Sequence, residues 1–284
     1  MQKYTILMRQ KDSNRKIRAP FAKIIVTLCE GTNKQRHMIY YFSGTGNSLL
    51  VAQRLADAIC EPLSAMKDVA MQHEWAIGLV FPVYAWGLPR VVEEFLLAHK
   101  AQLQSADTYV YAVMTCGDDM GYADRMLERL LGRQLNAAFS VQMPNTYVCL
   151  PGFDVDSREV YDRKMAAMPE AVEDIAADVR ERTHVRRLVR GSMPWTKTYV
   201  LRPLFNRFLV TDKYFHADAS LCTSCGKCRK ACPVGNVSIA SGIPVWQSHC
   251  TGCLACFHTC PHHAINFGRM TQHKGQVKCS VPNA

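Results

Sequence analysis

Eight cysteines in the last quarter of the sequence are spaced to bind a metal cofactor. They form two runs of identical spacing, Cys222-x-x-Cys225-x-x-Cys228-x-x-x-Cys232 and Cys250-x-x-Cys253-x-x-Cys256-x-x-x-Cys260. Each cysteine of the second run lies 28 residues after its counterpart, so the region is an internal repeat. Soft thiolates suit iron, and three closely spaced thiolates in a loop can wrap three corners of a cubane cluster. The spacing therefore predicts an iron–sulfur module.

Zinc is the alternative occupant of such cysteines. Zinc sites usually pair two C-x₂-C units across a longer gap. Here each run has four cysteines and is closed by a proline, Pro233 or Pro261. We therefore favour iron–sulfur clusters over zinc.

From about Lys213 to Gly268 the sequence resembles a bacterial-type double-cluster ferredoxin. The resemblance implies two [4Fe–4S] clusters and a fourth cysteine of each run that crosses to the other cluster. The ligands of the first cluster would be Cys222, Cys225, Cys228 and Cys260. Those of the second would be Cys250, Cys253, Cys256 and Cys232. We interpret the neighbouring His258, His262 and His263 as exposed surface residues.

A phosphate-binding loop is predicted in the N-terminal half. The apolar run Met38–Phe42 reads as a buried strand, and an apolar-periodic helix begins near Leu49. Between them lies a loop of small and polar residues: Ser43, Gly44, Thr45, Gly46, Asn47 and Ser48. Glycines allow a tight turn, and the start of a helix carries partial positive charge. The loop is neither a Walker P-loop nor G-x-G-x-x-G.

Two further loops follow predicted strands. The strand 76–81 leads into the loop Val83–Leu88, and the strand 108–114 leads into Thr115, Cys116, Gly117 and Asp118. Strands that alternate with helices of 10 to 15 residues predict a parallel sheet with helices on both faces. Ligands bind at the carboxyl ends of such strands, so all three loops should meet at one site.

The three loops together resemble those of flavodoxins. The resemblance implies FMN, with its phosphate on Ser43–Ser48, its ring against Trp86 or Tyr84, and further contacts from Thr115 to Asp118. Tyr122 would cover the other face of the ring. The alternative for Trp86 and Tyr84 is that they pack in the protein interior without contacting a ligand. The alternative for Cys116 is that it is a small buried hydrophobic residue.

The expected fold is α/β, a flavodoxin-like doubly wound parallel sheet followed by a small α+β double-cluster ferredoxin domain. The first expected segment is a basic extension (1–37) that is either disordered or the result of a mis-annotated translation start, with Met38 as the true start. The others are the flavodoxin-like FMN-binding domain (38–148), a helical connector (149–212), the ferredoxin domain (213–270) and a tail (271–284). A helix is expected from Ser157 to about Arg187. The apolar residues of the later connector (Trp195, Tyr199, Leu204, Phe205 and Phe208) are expected to pack the two domains together.

The amino-acid composition and the distribution of charge disfavour some classes of function. The net charge is +10, but residues 1–37 hold nine Lys or Arg against two Asp or Glu, so the remainder is nearly balanced. We therefore disfavour nucleic acid as a partner, although the basic, aromatic connector could bind it. The sequence has no membrane-spanning run and a poor signal peptide. We expect a cytoplasmic protein in which Cys29, Cys60, Cys149 and Cys279 are free thiols.

The whole chain resembles the flavodoxin–ferredoxin fusion proteins found mostly in anaerobic bacteria and archaea. The resemblance implies an iron–sulfur flavoprotein that transfers electrons between FMN, two [4Fe–4S] clusters and soluble redox partners. Two alternatives stay open. The flavin could reduce a small molecule with electrons from the ferredoxin domain, or the flavodoxin-like domain could be empty and serve for docking. The sequence leaves open whether the protein is an enzyme, and it assigns no catalytic residue.

Overall fold

The structure of the protein is a computed structural model. It describes residues 36–67, 69, 71–72 and 74–277. The expectations for residues 1–35, for Cys29 and Cys279, and for the end of the tail lie outside the described residues.

Among the described residues, six parallel strands form the main sheet, in the order β2-β1-β3-β4-β5-β6. The strands are β1 (His37–Tyr41), β2 (Leu63–Ala65), β3 (Ala76–Pro82), β4 (Tyr109–Cys116), β5 (Ala137–Gln142) and β6 (Arg186–Arg187). The order reverses direction beside β1, which creates the crevice where doubly wound sheets bind ligands. The predicted fold class is confirmed.

Helices cover both faces of this sheet, as the chain alternates between strand and helix. They are α1 (Asn47–Ile59), α2 (Arg90–Ala98), α3 (Lys100–Leu103), α4 (Ala123–Leu131) and α5 (Arg158–Arg180). One apolar core contains Val92 and Leu127 from α2 and α4, and the other contains Leu55 and Val172 from α1 and α5. Every residue of β4 is buried because helices lie on both sides of it.

Several boundaries differ from the predictions, two of them in ways that change the packing. Strand β1 begins at His37, whose buried ring makes a 3.0 Å hydrogen bond with the Tyr111 hydroxyl. Helix α5 ends at Arg180, and Arg186 and Arg187 form β6 instead of helix, because they pair with Ala138 and Phe139. Residues 158–187 therefore complete the first domain's layers rather than forming a separate connector.

The rest of the expected connector is a helical segment of three parts, which we call the bridging helix. It comprises α6 (Pro194–Thr196), a π-helical turn (Lys197–Leu201) and α7 (Arg202–Phe208). Trp195, Leu204 and Phe208 are more than half exposed, so the expectation that they pack the domains together is wrong. The buried face of the helix carries Thr198 and Arg202 instead.

The small C-terminal domain consists of two antiparallel pairs and two short helices. The elements are β7 (Phe215–Ala217), α8 (Lys227–Ala231), β8 (Val237–Ala240), β9 (Ile243–Trp246), α9 (Ala255–Thr259) and β10 (Ile265–Phe267). β7 pairs with β10, and β8 pairs with β9.

The 28-residue repeat extends to the backbone of the small domain. The residues that precede α8 and α9, Gly226 and Leu254, are both left-handed, with φ of 68° and 60°. Both helices end at the last cysteine of a run, Cys232 or Cys260, in nearly the same extended conformation. The two halves therefore present their cysteines in the same way.

Within the part of the chain that the structure describes, no helix combines the length and the apolar character needed to cross a bilayer.

Candidate functional site

The three predicted loops meet at one cavity of about 390 Å³ at the carboxyl ends of β1, β3 and β4. This volume lies in the range of small-molecule sites. The predicted residues that line it are Ser43, Gly44, Thr45, Asn47, Ser48, Tyr84, Trp86, Thr115, Cys116, Gly117 and Asp118. Gly46, the remaining predicted contact, precedes α1 in a left-handed conformation with φ of 103°. The structure thus brings together loops that are far apart in the sequence.

Hydrogen bonds of its polar residues hold the first loop in place, both within the loop and to neighbouring segments. The Gly46 N–H donates to Ser43 Oγ at 3.1 Å, and Asn47 Nδ2 donates to the Pro144 carbonyl at 2.9 Å. Ser48 Oγ lies 2.7 Å from Thr115 Oγ1, which ties the first loop to the third. The first residues of α1, Asn47 and Ser48, line the cavity, so the positive end of the helix dipole lies beside it. This arrangement suits an anionic group such as a phosphate ester.

The second loop has an unusual backbone that the bridging helix stabilises. Ala85 and Trp86 both have positive φ, 45° and 59°, although neither is glycine. Tyr84 and Gly87 close the turn with reciprocal backbone hydrogen bonds of 3.0 and 3.1 Å. Thr198 Oγ1 then donates to the Trp86 carbonyl at 2.9 Å. Strained residues of this kind persist where their surroundings fix them, and they cluster at binding sites.

Thr198 also fixes the third loop. Its Oγ1 accepts a 2.9 Å hydrogen bond from the Tyr122 N–H, so one hydroxyl joins the second and third loops. Arg202, one turn later, donates to the Leu88 carbonyl and to Glu93, 3.1 Å away. The bridging helix therefore positions two of the three loops, a role that the sequence did not indicate.

The third loop contributes a neutral thiol and exposed carboxylates. Cys116 is 5% exposed, and burial, aided by Asp119 and Asp118, raises its thiol pKa to about 12. The thiol is therefore protonated at neutral pH, which agrees with the interpretation of Cys116 as a small buried hydrophobe. The expectation for Tyr122 is not met, since its ring does not line the cavity and lies beneath the guanidinium groups of Arg125 and Arg190.

Residues that the sequence analysis missed form the opposite wall. Tyr147, Phe153 and Phe205 line the cavity, and the Tyr147 ring contacts those of Phe153 and Phe205 at centroid distances of 6.0 and 5.2 Å. The buried Tyr147 hydroxyl has no hydrogen-bond partner. Tyr147 and Phe153 lie outside the regular strands and helices, so no periodic pattern marks them, and Phe205 was expected only to pack between the domains.

The second cysteine run also reaches the cavity. Thr251, Gly252, Cys253 and Leu254 line it from the small domain. A Cβ atom at position 44 would lie only 2.6 Å from Cys253 Cβ and 2.6 Å from the Tyr84 hydroxyl. Gly44 therefore permits direct contact between the first loop and the second cysteine run.

Four cysteines of the small domain surround a second cavity. They are Cys222, Cys225, Cys228 and Cys260, the set predicted for the first cluster. The thiols are close enough for Cys260 and Cys225 to raise the pKa of Cys228, after the larger effect of burial. The Lys227 N–H and the Thr223 hydroxyl lower the pKa of Cys225. Fe–S clusters use such donors to their sulfurs.

The other four cysteines also lie together. Burial first, and then Cys253, Cys250 and Cys232, raise the pKa of Cys256. The Gly252 N–H donates to Cys250 Sγ at 3.3 Å. The Asn236 N–H donates to Cys232 Sγ at 3.1 Å. This is the set predicted for the second cluster.

Each donor set consists of four cysteines, the ligands that [4Fe–4S] clusters use. The indole nitrogen of Trp246 is buried and makes no hydrogen bond of standard geometry. It nevertheless lies close enough to Cys256 to lower the pKa of that thiol. An N–H group aimed at a cysteine sulfur is the donor that a buried cluster accepts. The cavity between the loops and α1 fits FMN by its anion-binding end and its aromatic walls.

His258 differs from its prediction, whereas His262 and His263 are exposed as expected. Its ring is 3% exposed because it lies on α9 between Thr146 and Val277. Its Nδ1 accepts from the Val277 N–H at 3.2 Å, so Nε2 carries the proton that it donates to the Thr146 carbonyl at 2.7 Å. Burial lowers the pKa of this imidazole, which keeps it neutral. Cys60 and Cys149 are free thiols, as expected.

Two family models match the sequence at the positions of the two domains. The model described as a flavodoxin domain matches residues 38–150, and the one described as a 4Fe-4S dicluster domain matches residues 221–265. The chain therefore carries a flavodoxin domain and a ferredoxin domain in one polypeptide, which confirms the predicted fusion. A flavodoxin domain implies FMN, and a 4Fe-4S dicluster domain implies iron–sulfur clusters.

Several solved structures resemble the first domain. A flavodoxin from the domain Archaea is 14% identical and covers 51% of this chain and 99% of its own, with a TM-score of 0.35. Megasphaera elsdenii flavodoxin, in its two-electron reduced form, is 18% identical, covers 48% of this chain and 98% of its own, and has a TM-score of 0.34.

A larger protein shares the same region. Rubredoxin oxygen:oxidoreductase from the anaerobe Desulfovibrio gigas is 17% identical, with a TM-score of 0.35. The match covers 52% of this chain and 37% of that one, so it spans little more than a third of the larger protein. No curated protein matches the chain.

Proposed function

We propose that this chain is an iron–sulfur flavoprotein that carries electrons between FMN, two [4Fe–4S] clusters and soluble redox proteins of the cytoplasm. One observation carries the proposal. The predicted phosphate loop and the second cysteine run line the same cavity, and Gly44 lies against Cys253. A flavin in this cavity and a cluster on this cysteine run would therefore be neighbours.

The residues have separate tasks in this proposal. The first loop and the start of α1 hold the phosphate, Trp86 and Tyr84 contact the ring system, and Thr115 to Asp118 line its polar edge. The first cluster is held by Cys222, Cys225, Cys228 and Cys260. The second cluster is held by Cys250, Cys253, Cys256 and Cys232. When bound, FMN exchanges one or two electrons and each cluster exchanges one.

One wall of this site is aromatic and uncharged. Burial, and then the nearby Cys253 and Cys250, raise the Tyr84 pKa well above its usual value. Its hydroxyl therefore stays protonated and is available as a hydrogen-bond donor. Tyr147 and Phe205 add two further aromatic rings to the lining of the same cavity. Low polarity around a redox centre is one of the means by which proteins set its potential.

The test is a cofactor analysis of the full chain, purified and reconstituted without oxygen. Iron, sulfide and flavin are quantified in one sample, together with its ultraviolet–visible spectrum. We expect about eight irons and one FMN per chain. About eight irons without flavin, even after FMN is added, would contradict the flavin part and support a docking role for the first domain. Fewer than about four irons would contradict two clusters.

The apolar mouth of the cavity favours a second candidate function. Leu150, Phe153 and Phe205 line the cavity, and Phe153 is 44% exposed, so a flat apolar molecule could approach. The flavin would then reduce a quinone or a nitro compound. Steady turnover of such a compound with a one-electron donor would support this reductase, whereas rapid electron exchange with protein carriers alone would support the carrier.

A further inference from the structure

Thr251 has a buried hydroxyl with no hydrogen-bond partner. The residue is 7% exposed, and its Oγ1 makes no hydrogen bond within the structure. A buried hydroxyl without a partner costs about 1–3 kcal/mol, so such groups in native proteins usually meet a ligand or an ordered water. Thr251 lines the 390 Å³ cavity of the first domain although it belongs to the second cysteine run.

The position of Thr251 is close to the predicted phosphate loop. Thr251 and Ser43 both line this cavity and also a neighbouring one between the two domains. Two residues later, Cys253 lies against Gly44. Thr251 therefore lies on the same side of the cavity as Ser43 and Gly44 of the first loop.

The equivalent threonine of the first repeat behaves differently. Thr223 also follows the first cysteine of its run, but it is exposed, and its hydroxyl forms a hydrogen bond that lowers the pKa of the Cys225 thiol. The Thr251 hydroxyl has no such partner. We attribute this difference between the two threonines to the surroundings of each repeat. The second repeat faces the flavodoxin domain.

We propose that Thr251 donates a hydrogen bond to the phosphate ester of the bound flavin, so that the second cysteine run completes the FMN site. The proposal rests on the function proposed above. The phosphate would be bound by Ser43 to Ser48, by the start of α1 and by this hydroxyl from the other domain. Because Thr251 adjoins Cys250, a filled second cluster would fix the loop and strengthen FMN binding, and FMN would in turn stabilise the cluster.

The test compares FMN with riboflavin, which lacks the phosphate. Full-length, cluster-loaded protein is freed of flavin and titrated with each compound under anaerobic conditions. A hydrogen bond to a charged group predicts that Thr251→Val weakens FMN binding about 10- to 100-fold. Riboflavin binding should stay unchanged. Thr196→Val, at a partly exposed position of the bridging helix that does not line the cavity, should leave FMN affinity as it is.

Two controls separate this contact from general damage. Iron content is measured in every variant, and Thr251→Ser, which keeps the hydroxyl, should bind FMN about as well as the natural protein. If Thr251→Val does not fold, Thr251→Ala is compared with Thr251→Ser in the same titrations.

The outcomes are distinguishable. Equal FMN affinity in the natural protein and Thr251→Val overturns this proposal alone. A parallel loss of riboflavin affinity also overturns it, because the contact would then not be to phosphate. Failure of the natural protein to bind either flavin overturns the proposed function as well.

Discussion

The hydroxyl of Thr198 is expected to determine how tightly the flavin loops are held. In Thr198→Val the shape of the side chain is kept but its oxygen is lost. The Trp86 carbonyl and the Tyr122 N–H then lose their shared partner, each at 2.9 Å. Thr198 itself is 2% exposed, so water cannot easily replace it.

The expected loss can be worked from these two bonds. A buried group left without its partner costs about 1–3 kcal/mol, and both groups belong to half-buried residues, so the lower end applies. The free energy of unfolding should therefore fall by about 2 kcal/mol. Ala85 and Trp86 would relax from their positive φ values, and FMN would have to restore them. We expect FMN affinity to fall about tenfold, which is about 1.4 kcal/mol.

The assay combines urea unfolding, followed by circular dichroism, with anaerobic FMN titration of the cluster-loaded protein. Thr196→Val is the matched control, because Thr196 is on the same helix, two residues earlier, and partly exposed. Thr198→Ser should restore both properties. If Thr198→Val cannot be distinguished from Thr196→Val in stability and FMN affinity, the bridging helix does not position the loops as described.

Three other perturbations follow from the structure. Cys225→Ser should reduce iron from about eight to about four atoms per chain, whereas Cys60→Ser, at the exposed end of α1, should leave it unchanged; undiminished iron in the first variant would refute the ligand assignment. Gly87→Ala should lower the urea midpoint, since a Cβ there would lie 1.8 Å from Arg202 Nε and displace a buried side chain; an unchanged midpoint would show that Arg202 is free to move. Burial, and then Arg182, lower the His37 pKa from 6.5 to about 4. As the pH falls, the imidazole of the unfolded chain is therefore protonated before that of the folded protein. The contribution of neutral His37 to the free energy of unfolding should be fully present above pH 6.5 and should fall by about 3 kcal/mol as the pH drops to 4. A His37→Gln variant should therefore show a flatter profile of urea midpoint against pH.

The main strands and the cysteine runs were predictable because their signals are local. Strands β3 and β4 are covered on both faces, so nearly every residue is apolar and the run stands out in the sequence. The cysteine spacing reflects how a short loop wraps a cluster, which needs no information from elsewhere in the chain. The phosphate loop was found for the same reason, since Ser43 to Ser48 lie between a strand and a helix that are both visible locally.

The rest of the site depends on contacts between residues that are distant in sequence. Strand β6 consists of two exposed arginines, and only its pairing with Ala138 and Phe139 makes it a strand. Thr198 is 112 residues away from Trp86, and a single threonine in a basic helical segment gives no sign of that partner. His258 resembled its exposed neighbours because its burial depends on packing against residues near Thr146, also 112 positions away.

The close approach at Gly44 also limits how such a protein could be assembled by recombination. The Cys250–Cys256 loop cannot retreat, because its cysteines are expected to be fixed by a cluster, and any side chain at position 44 would meet Cys253. A ferredoxin domain taken from another protein would therefore have to present the same small gap opposite the loop. Likewise, a flavodoxin with a larger residue at this position would be excluded as a donor of the first domain. The two domains should thus be inherited as a matched pair rather than exchanged as independent modules.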